Sequence, residues 1–312
     1  MFQRPPFKQK GRVVRAEPQS FAGLTKCAKE VEAKGVFIDR GGAHAHEAEI
    51  IAWLETIEEE DLPYGEFAGV QVLVAPEKEC DDSSCDEDHG ADQAPPLATA
   101  AEIREACKAL VADLPESFRG AVEADAAALV KMSRKLCPET PWITMRLEVV
   151  QLEACWRWHQ DFYTARTLCC YVGPGTHCCD DKSVDWDTFE ATMDEESNLE
   201  CVPESKIKTM QTNAVLLMKG DSWPGIRGTG LTHKSPSGFW MGPDAPKRLI
   251  LKVDLNDMRP PLADDPDGDG ESEEGDEGDF EEGDEEDEDE EDEDDEEDDR
   301  PPPPEPKRQR RR

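Results

Sequence analysis

Residues 261–299 hold 28 acidic side chains and almost nothing apolar. That stretch removes the end of the chain from any core. Its charges repel one another, and it has too little apolar area to offset the entropy of ordering. Residues 261–312 are therefore expected to be a disordered tail, acidic, then proline-rich, then basic. The tail carries 29 acids against 6 bases, so the formal charge of −38 leaves 44 acids against 29 bases for residues 1–260. Only those earlier residues can build a sizeable core.

The charge excludes some classes of function. The core has no basic stripe of the kind that phosphate-backbone binding needs, so direct nucleic-acid binding by the core is not expected. No run approaches the roughly 18 apolar residues of a membrane span. Eleven cysteines without a visible secretory signal read as reduced thiols or metal ligands inside the cell. The terminal KRQRRR resembles a simple nuclear import signal, so cytoplasm or nucleus is the expected compartment. Residues 1–30 read as a flexible basic arm, only faintly like an organelle transit peptide because serine is scarce. The acidic tail suits basic partner proteins such as histones.

Residues 31–260 read as a single α+β domain. Its helical part extends to about residue 140. In 44–60, Ile50, Ile51, Leu54 and Ile57 recur at helical spacing. A strand over 67–76 and an acidic inserted loop over 77–96 follow. Two amphipathic helices come next, one with Ile103, Cys107, Leu110 and Val111 on one face, the other with Val122, Ala126, Leu129 and Val130. The β-rich part, 142–256, has short apolar runs at 142–152, 155–162, 167–173, 212–220, 230–236 and 248–255, bounded by glycine and proline. So many short strands with little helix between them predict an antiparallel sandwich or barrel, with the N-terminal helices covering one face.

Within that part, CWRWHQDF (155–162) places His159 and Asp161 two residues apart, on one face if the run is a strand. His233 in LTHKSP and Arg248 in KRLIL follow on later runs. Two histidines and a carboxylate are the ligand set of the facial triad that holds non-haem Fe(II), and an arginine nearby offers a bidentate fork to a carboxylate co-substrate. The bland alternatives are a polar pair on a solvated strand face and an Arg248 paired to a structural acid. The stretch SPSGFWMGPDAP between His233 and Arg248 must then be an excursion. Trp156 and Trp158 fall on the opposite face from the histidine and are expected in the sandwich core.

The cysteines at 169–170 and 178–179 flank Gly173-Pro174-Gly175. Adjacent residues of a strand point to opposite faces, so buried small hydrophobes are the simpler reading than a thiolate site. Cys80, Cys85 and His89 are at most loose metal ligands. Gly173-Pro174-Gly175 and Trp223-Pro224-Gly225 read as turns.

RLEVV (146–150), WHQDF (158–162), TLCCYVGPGT (167–176), KGDSWPG (219–225), THKSP (232–236) and KRLILKVDL (247–255) together resemble a mainly bacterial and algal family, domain of unknown function 1826. The resemblance covers 142–255 best and reaches weakly back to about residue 35. It implies a common fold with the two histidines and the aspartate as its polar centre, and it keeps Zn(II) open as the ion. The chain departs from the family at His177-Cys178-Cys179 and in its acidic tail. The His-x-Asp, the later histidine and the strand arginine are also similar to the 2-oxoglutarate/Fe(II)-dependent oxygenases. That likeness implies a double-stranded β-helix (jelly-roll, cupin-like) core, with His159, Asp161 and His233 as metal ligands and Arg248 as the anchor for 2-oxoglutarate. The expectation is an Fe(II)-dependent dioxygenase-like protein acting on a small molecule or protein. The alternatives are a non-enzymatic zinc-handling protein of the same fold and an interaction protein working through its tail.

Overall fold

The computed structural model describes residues 11–57, 66–75, 97–150, 155–193, 195–226, 230–236 and 246–258. The expectations for the acidic loop 77–96, with Cys80, Cys85 and His89, and for the tail 261–312 lie outside these residues. The chain divides into a unit Met1–Gly268 and a unit Asp269–Arg312, and all that follows concerns the first.

In chain order its elements are β1 (Arg12–Arg15), α1 (Phe21–Ala28), β2 (Ala33–Ile38), α2 (Glu47–Leu54), β3 (Glu66–Leu73), α3 (Ala100–Leu110), α4 (Glu116–Leu136), β4 (Trp142–Val150), β5 (Ala165–Cys170), β6 (His177–Cys178), α5 (Trp186–Ala191), β7 (Lys208–Thr209), β8 (Val215–Lys219), β9 (His233–Lys234) and β10 (Arg248–Asn256). Seven strands form one sheet in the order β1-β2-β8-β5-β10-β4-β3, and a small sheet runs β7-β6-β9. Every pairing among these strands is antiparallel except β1 with β2. The architecture is thus mixed α and β around a large, almost wholly antiparallel sheet.

The period-2 alternation of strands divides the core in two. On β10, Leu249, Leu251, Val253 and Leu255 join Val215 and Leu217 of β8 and Ile143, Met145 and Leu147 of β4 beneath the helices. On the other face Ile250, Leu216, Met218, Leu168 and Cys170 meet Cys178, Met210 and Leu231. Each such side chain contributes about 1.5–3 kcal/mol on burial. The helices meet the sheet with Leu24, Ile50, Leu54, Ile103, Cys107, Leu110, Val122, Ala126 and Leu129. Thr99 and Glu102 close a reciprocal capping box at the start of α3.

Three expectations need correction. Residues 12–28 are not part of a flexible arm: β1 pairs parallel to β2, and α1 buries Leu24, Thr25, Cys27 and Ala28. The basic character before Glu17 masked a strand whose Val13 is buried while its arginines face outward. The helix expected over 44–60 is Glu47–Leu54, and Ile51 lies on its exposed side. The run 155–162 makes a single ladder bridge, at His159, instead of a strand. Among the described residues no helix is long and apolar enough to cross a membrane.

Candidate metal centre

Residues 155–162 do not form a strand because other groups take their backbone partners. Asn198 Oδ1 accepts from the Trp158 amide at 2.6 Å, and Cys155 turns through φ 46°. At His159 the backbone does pair. Its amide donates to His233 O and its carbonyl accepts from the His233 amide, both at 3.0 Å. Directly opposed residues of an antiparallel pair project to the same face. The two imidazoles consequently meet, with ring centroids 4.3 Å apart.

Asp161 enters between them. Its Oδ1 lies 3.8 Å from His159 Nε2 and its Oδ2 3.6 Å from His233 Nε2. The segment is held from below by KGDSWPG: the Asp221 amide donates to Asp161 O at 3.0 Å, and Asp221 Oδ1 accepts from the Gly230 amide at 2.7 Å. Gly220 passes so close under the segment that a Cβ would sit 1.8 Å from Tyr163 O. Gln160 Nε2 donates to Gly230 O at 2.7 Å, tying the segment to the approach of β9.

The histidines are oriented by their outer nitrogens. Nδ1 of His159 lies 2.8 Å from Arg157 O, and Nδ1 of His233 lies 3.0 Å from Leu231 O. A carbonyl only accepts, so each Nδ1 carries a proton and each Nε2 is the nitrogen turned to the centre. Burial pushes the His233 pKa down to about 4, with His159 adding to the effect against the opposing pull of Asp161. At neutral pH this imidazole is therefore uncharged. For Asp161 burial acts to raise the pKa, but Arg166, then His233, His159 and Lys252, bring it below the ordinary carboxylate value. The carboxylate stays ionised.

One ligand atom from each of His159, Asp161 and His233 falls within 4.8 Å of the others. Asp161 Oδ2 is buried and accepts no hydrogen bond from the described residues. A buried carboxylate oxygen that accepts no hydrogen bond is costly, even with Arg166 NH1 3.1 Å away, and His233 Nε2 faces it while His159 Nε2 faces Oδ1. These residues fit a divalent cation, and the donor set is that of a facial triad.

Arg248 is 3 % exposed and lies on the sheet face that looks toward the small sheet. Its NH1 donates to Pro174 O and its NH2 to Ser235 Oγ, each at a long 3.4 Å. No carboxylate forms an ion pair with it among the described residues. The structural-acid alternative for Arg248 thus finds no partner there. Gly173, at φ +83°, lets the turn press on the arginine stem, since a Cβ there would meet Arg248 Cγ at 2.6 Å. Ser235 stands two residues beyond His233, about 7 Å along extended chain.

The cysteines follow the bland reading. Cys169 faces the helical core and Cys170 the inner one, while Cys178 faces inward and Cys179 a third cluster. Burial pushes the thiols of Cys170 and Cys178 up to about 11 and about 12, so neither is a thiolate near neutral pH. Trp158 is buried with Cys179, Val184, Phe189, Cys201 and Val202, behind the small sheet and not between the two sheets. Trp156 is only half-buried, with the Arg157 guanidinium 4.7 Å above its ring.

His177, partly buried, has its pKa pushed to about 4 by burial and by the cations Lys234 and Arg248. With His233 it gives a pH dependence of known sign. The unfolded chain takes up both protons near the ordinary value of about 6.5, while the folded chain resists until about 4. Stability is therefore fully present above roughly pH 6.5 and is lost progressively as pH falls toward about 4. The metal-free protein should show a falling denaturation midpoint over that window, and His177→Gln should flatten the slope. A midpoint independent of pH from about 7 to about 4 would contradict this.

Arg166 and Asp254 were not singled out from the sequence, yet they form the ionic floor of the site. Arg166 directly precedes the TLCCYVGPGT run, and alternation along 248–255 puts Asp254 on the Arg248 face. Gly220 carried no signal beyond its turn-like surroundings.

Among solved structures, the apo form of a C-terminally truncated Neurospora crassa protein is 12 % identical and covers 76 % of this chain and 88 % of its own, with a TM-score of 0.29. The full-length form of that Neurospora crassa protein, in complex with alpha-KG and 5-formyluracil, is 8 % identical over 76 % of this chain and 78 % of its own, with a TM-score of 0.34. A Caulobacter crescentus structure described as a 2OG-Fe(II) oxygenase family protein is 13 % identical over 77 % and 83 %, also with a TM-score of 0.34. No curated protein matches the sequence. The family described as Protein of unknown function (DUF1826) matches residues 49–254, a span that contains the triad and Arg248, and the chain belongs to that family.

Proposed function

We propose that this protein is an Fe(II)- and 2-oxoglutarate-dependent oxygenase. The observation that carries the reading is the triad geometry: two Nε2 atoms and an undonated carboxylate oxygen converge within 4.8 Å. His159, Asp161 and His233 would hold the ion, and the buried Arg248, steadied by Ser235 and Pro174 O, would seat the distal carboxylate of 2-oxoglutarate. On this reading the large and small sheets are the two walls of a double-stranded β-helix. Bound Fe(II) would supply dioxygen activation coupled to oxidative decarboxylation of the co-substrate.

The chain's own residues prepare the site for this. The Arg157 and Leu231 carbonyls hold each Nδ1, so both rings turn Nε2 toward the centre. Arg248 remains cationic, because a guanidinium does not deprotonate in proteins, although burial lowers its pKa. A carboxylate arriving there replaces two long hydrogen bonds with short, charge-assisted ones and supplies the missing counter-charge. Ile250 and its cross-strand partner Cys170, next along the same face, are buried and apolar.

The test is anaerobic titration of the Fe(II)-loaded protein with 2-oxoglutarate. A weak visible charge-transfer band is expected, absent in His159→Ala. In Arg248→Met the band should require at least tenfold more co-substrate. Metal binding without a band and without 2-oxoglutarate turnover would sink the oxygenase reading and favour a zinc-holding protein.

A further inference from the structure

Among the described residues the Asp161 carboxylate has one fixed cation in contact, and that cation is itself locked. Arg166 NH1 lies 3.1 Å from Asp161 Oδ2. No N–H of the guanidinium is aimed at that oxygen, so the contact is ionic and not a hydrogen bond. The other edge of the fork is committed elsewhere: Nε donates to Asp254 Oδ1 at 2.7 Å and NH2 to Asp254 Oδ2 at 3.0 Å. The pairing is written into the ladder, because Arg166 of β5 stands directly opposite Asp254 of β10. Asp254 is 1 % exposed, and the Tyr163 ring lies 4.7 Å from the guanidinium carbon. Arg146 NH1, 3.7 Å from Asp254 Oδ2, adds a second cation to the same carboxylate.

We infer that Asp254 and Arg166 form a positioning pair which holds the Asp161 carboxylate toward the two Nε2 atoms and sets the affinity of the triad for its divalent cation. This rests on the metal reading of His159, Asp161 and His233. A bidentate fork fixes the plane of the guanidinium, so the NH1 charge is presented at one place only. Held there, it orients Asp161 without consuming Oδ2 as a hydrogen-bond acceptor, and the oxygen stays available to a cation. Asp254 touches neither the histidines nor Asp161, and acts only through Arg166. Outer-shell partners of this kind typically cost roughly 10–100-fold in metal affinity when removed.

The experiment uses the full chain with Co(II), whose absorption reports coordination. Wild type, His159→Ala, Asp254→Asn and the double variant Arg166→Gln with Asp254→Asn are titrated with Co(II), and the metal-free stability of each is measured separately. The double variant removes both buried charges together, so it keeps the test open if the single change does not fold. The expected result is a roughly 10–100-fold higher Kd in both, with an altered Co(II) spectrum. Reduced metal-free stability with wild-type Kd and spectrum would mean a merely structural pair and would overturn the inference. Wild-type Co(II) binding that is unchanged in His159→Ala would overturn the triad reading itself, and the positioning role with it.

Discussion

His233→Ala is expected to yield a folded protein that holds no metal. The side chain removed supplies one of three ligand atoms, and the remaining pair, His159 and Asp161, has no described replacement within the 4.8 Å cluster. The loss should exceed the roughly 10–100-fold that outer-shell partners cost. The fold should survive, because the hydrogen bonds that join His233 to His159 are both backbone bonds and alanine keeps them. The bond given up is that of Nδ1 with Leu231 O, worth about 1 kcal/mol net. Metal content of the purified protein decides the matter. Native protein should carry close to one ion per chain, and His159→Ala and His233→Ala essentially none. Variants that retained native metal content would place the ion elsewhere.

Gly220→Ala should lower both stability and metal affinity. The new Cβ would lie 1.8 Å from Tyr163 O, 2.8 Å from Tyr163 C and 2.9 Å from Asp161 O. All three are backbone atoms, so no rotamer change relieves the clash and the 161–163 segment itself must move. Overpacking of this sort costs about 1–3 kcal/mol or more. For a folded region of this size that is roughly 3–10 °C in Tm. The displaced segment carries Asp161, so cation affinity should fall in parallel. Gly225→Ala is the control. It is open to solvent, with nothing within 4 Å of the Cβ, but adopts φ +86°. It should lose about 1–2 kcal/mol from backbone strain and leave metal affinity unchanged. Equal metal affinity in Gly220→Ala and wild type would show that the close approach does not position Asp161.

Much of the fold was legible because it rests on short-range periodicity. The runs at 142–152, 167–173, 212–220 and 248–255 became β4, β5, β8 and β10, and the faces read for α3 and α4 are the buried ones. Residues 11–30 were not legible as folded structure because their charge hides the alternation: Arg12 and Arg15 flank buried Val13 on a strand at the sheet edge. The residue types of the triad were legible from its chemistry, although the geometric premise behind it failed. His159 and Asp161 do not share the face of a regular strand. They come together because His159 alone pairs with His233, while Gly220 and Asp221 support the chain at Asp161.

From the sequence alone come the donor atoms, the apolar faces and the likeness to a family, since each depends on residue type and local spacing. Tertiary structure alone decided which nitrogen of each imidazole faces the centre, that Arg248 is buried with no carboxylate paired to it among the described residues, and that Asp161 meets Asp254 only by way of Arg166. Arg248 with Pro174 and Arg166 with Asp254 join residues 74 and 88 positions apart. Hydrogen bonds and ion pairs depend on distance and direction, which residue spacing along a chain does not encode.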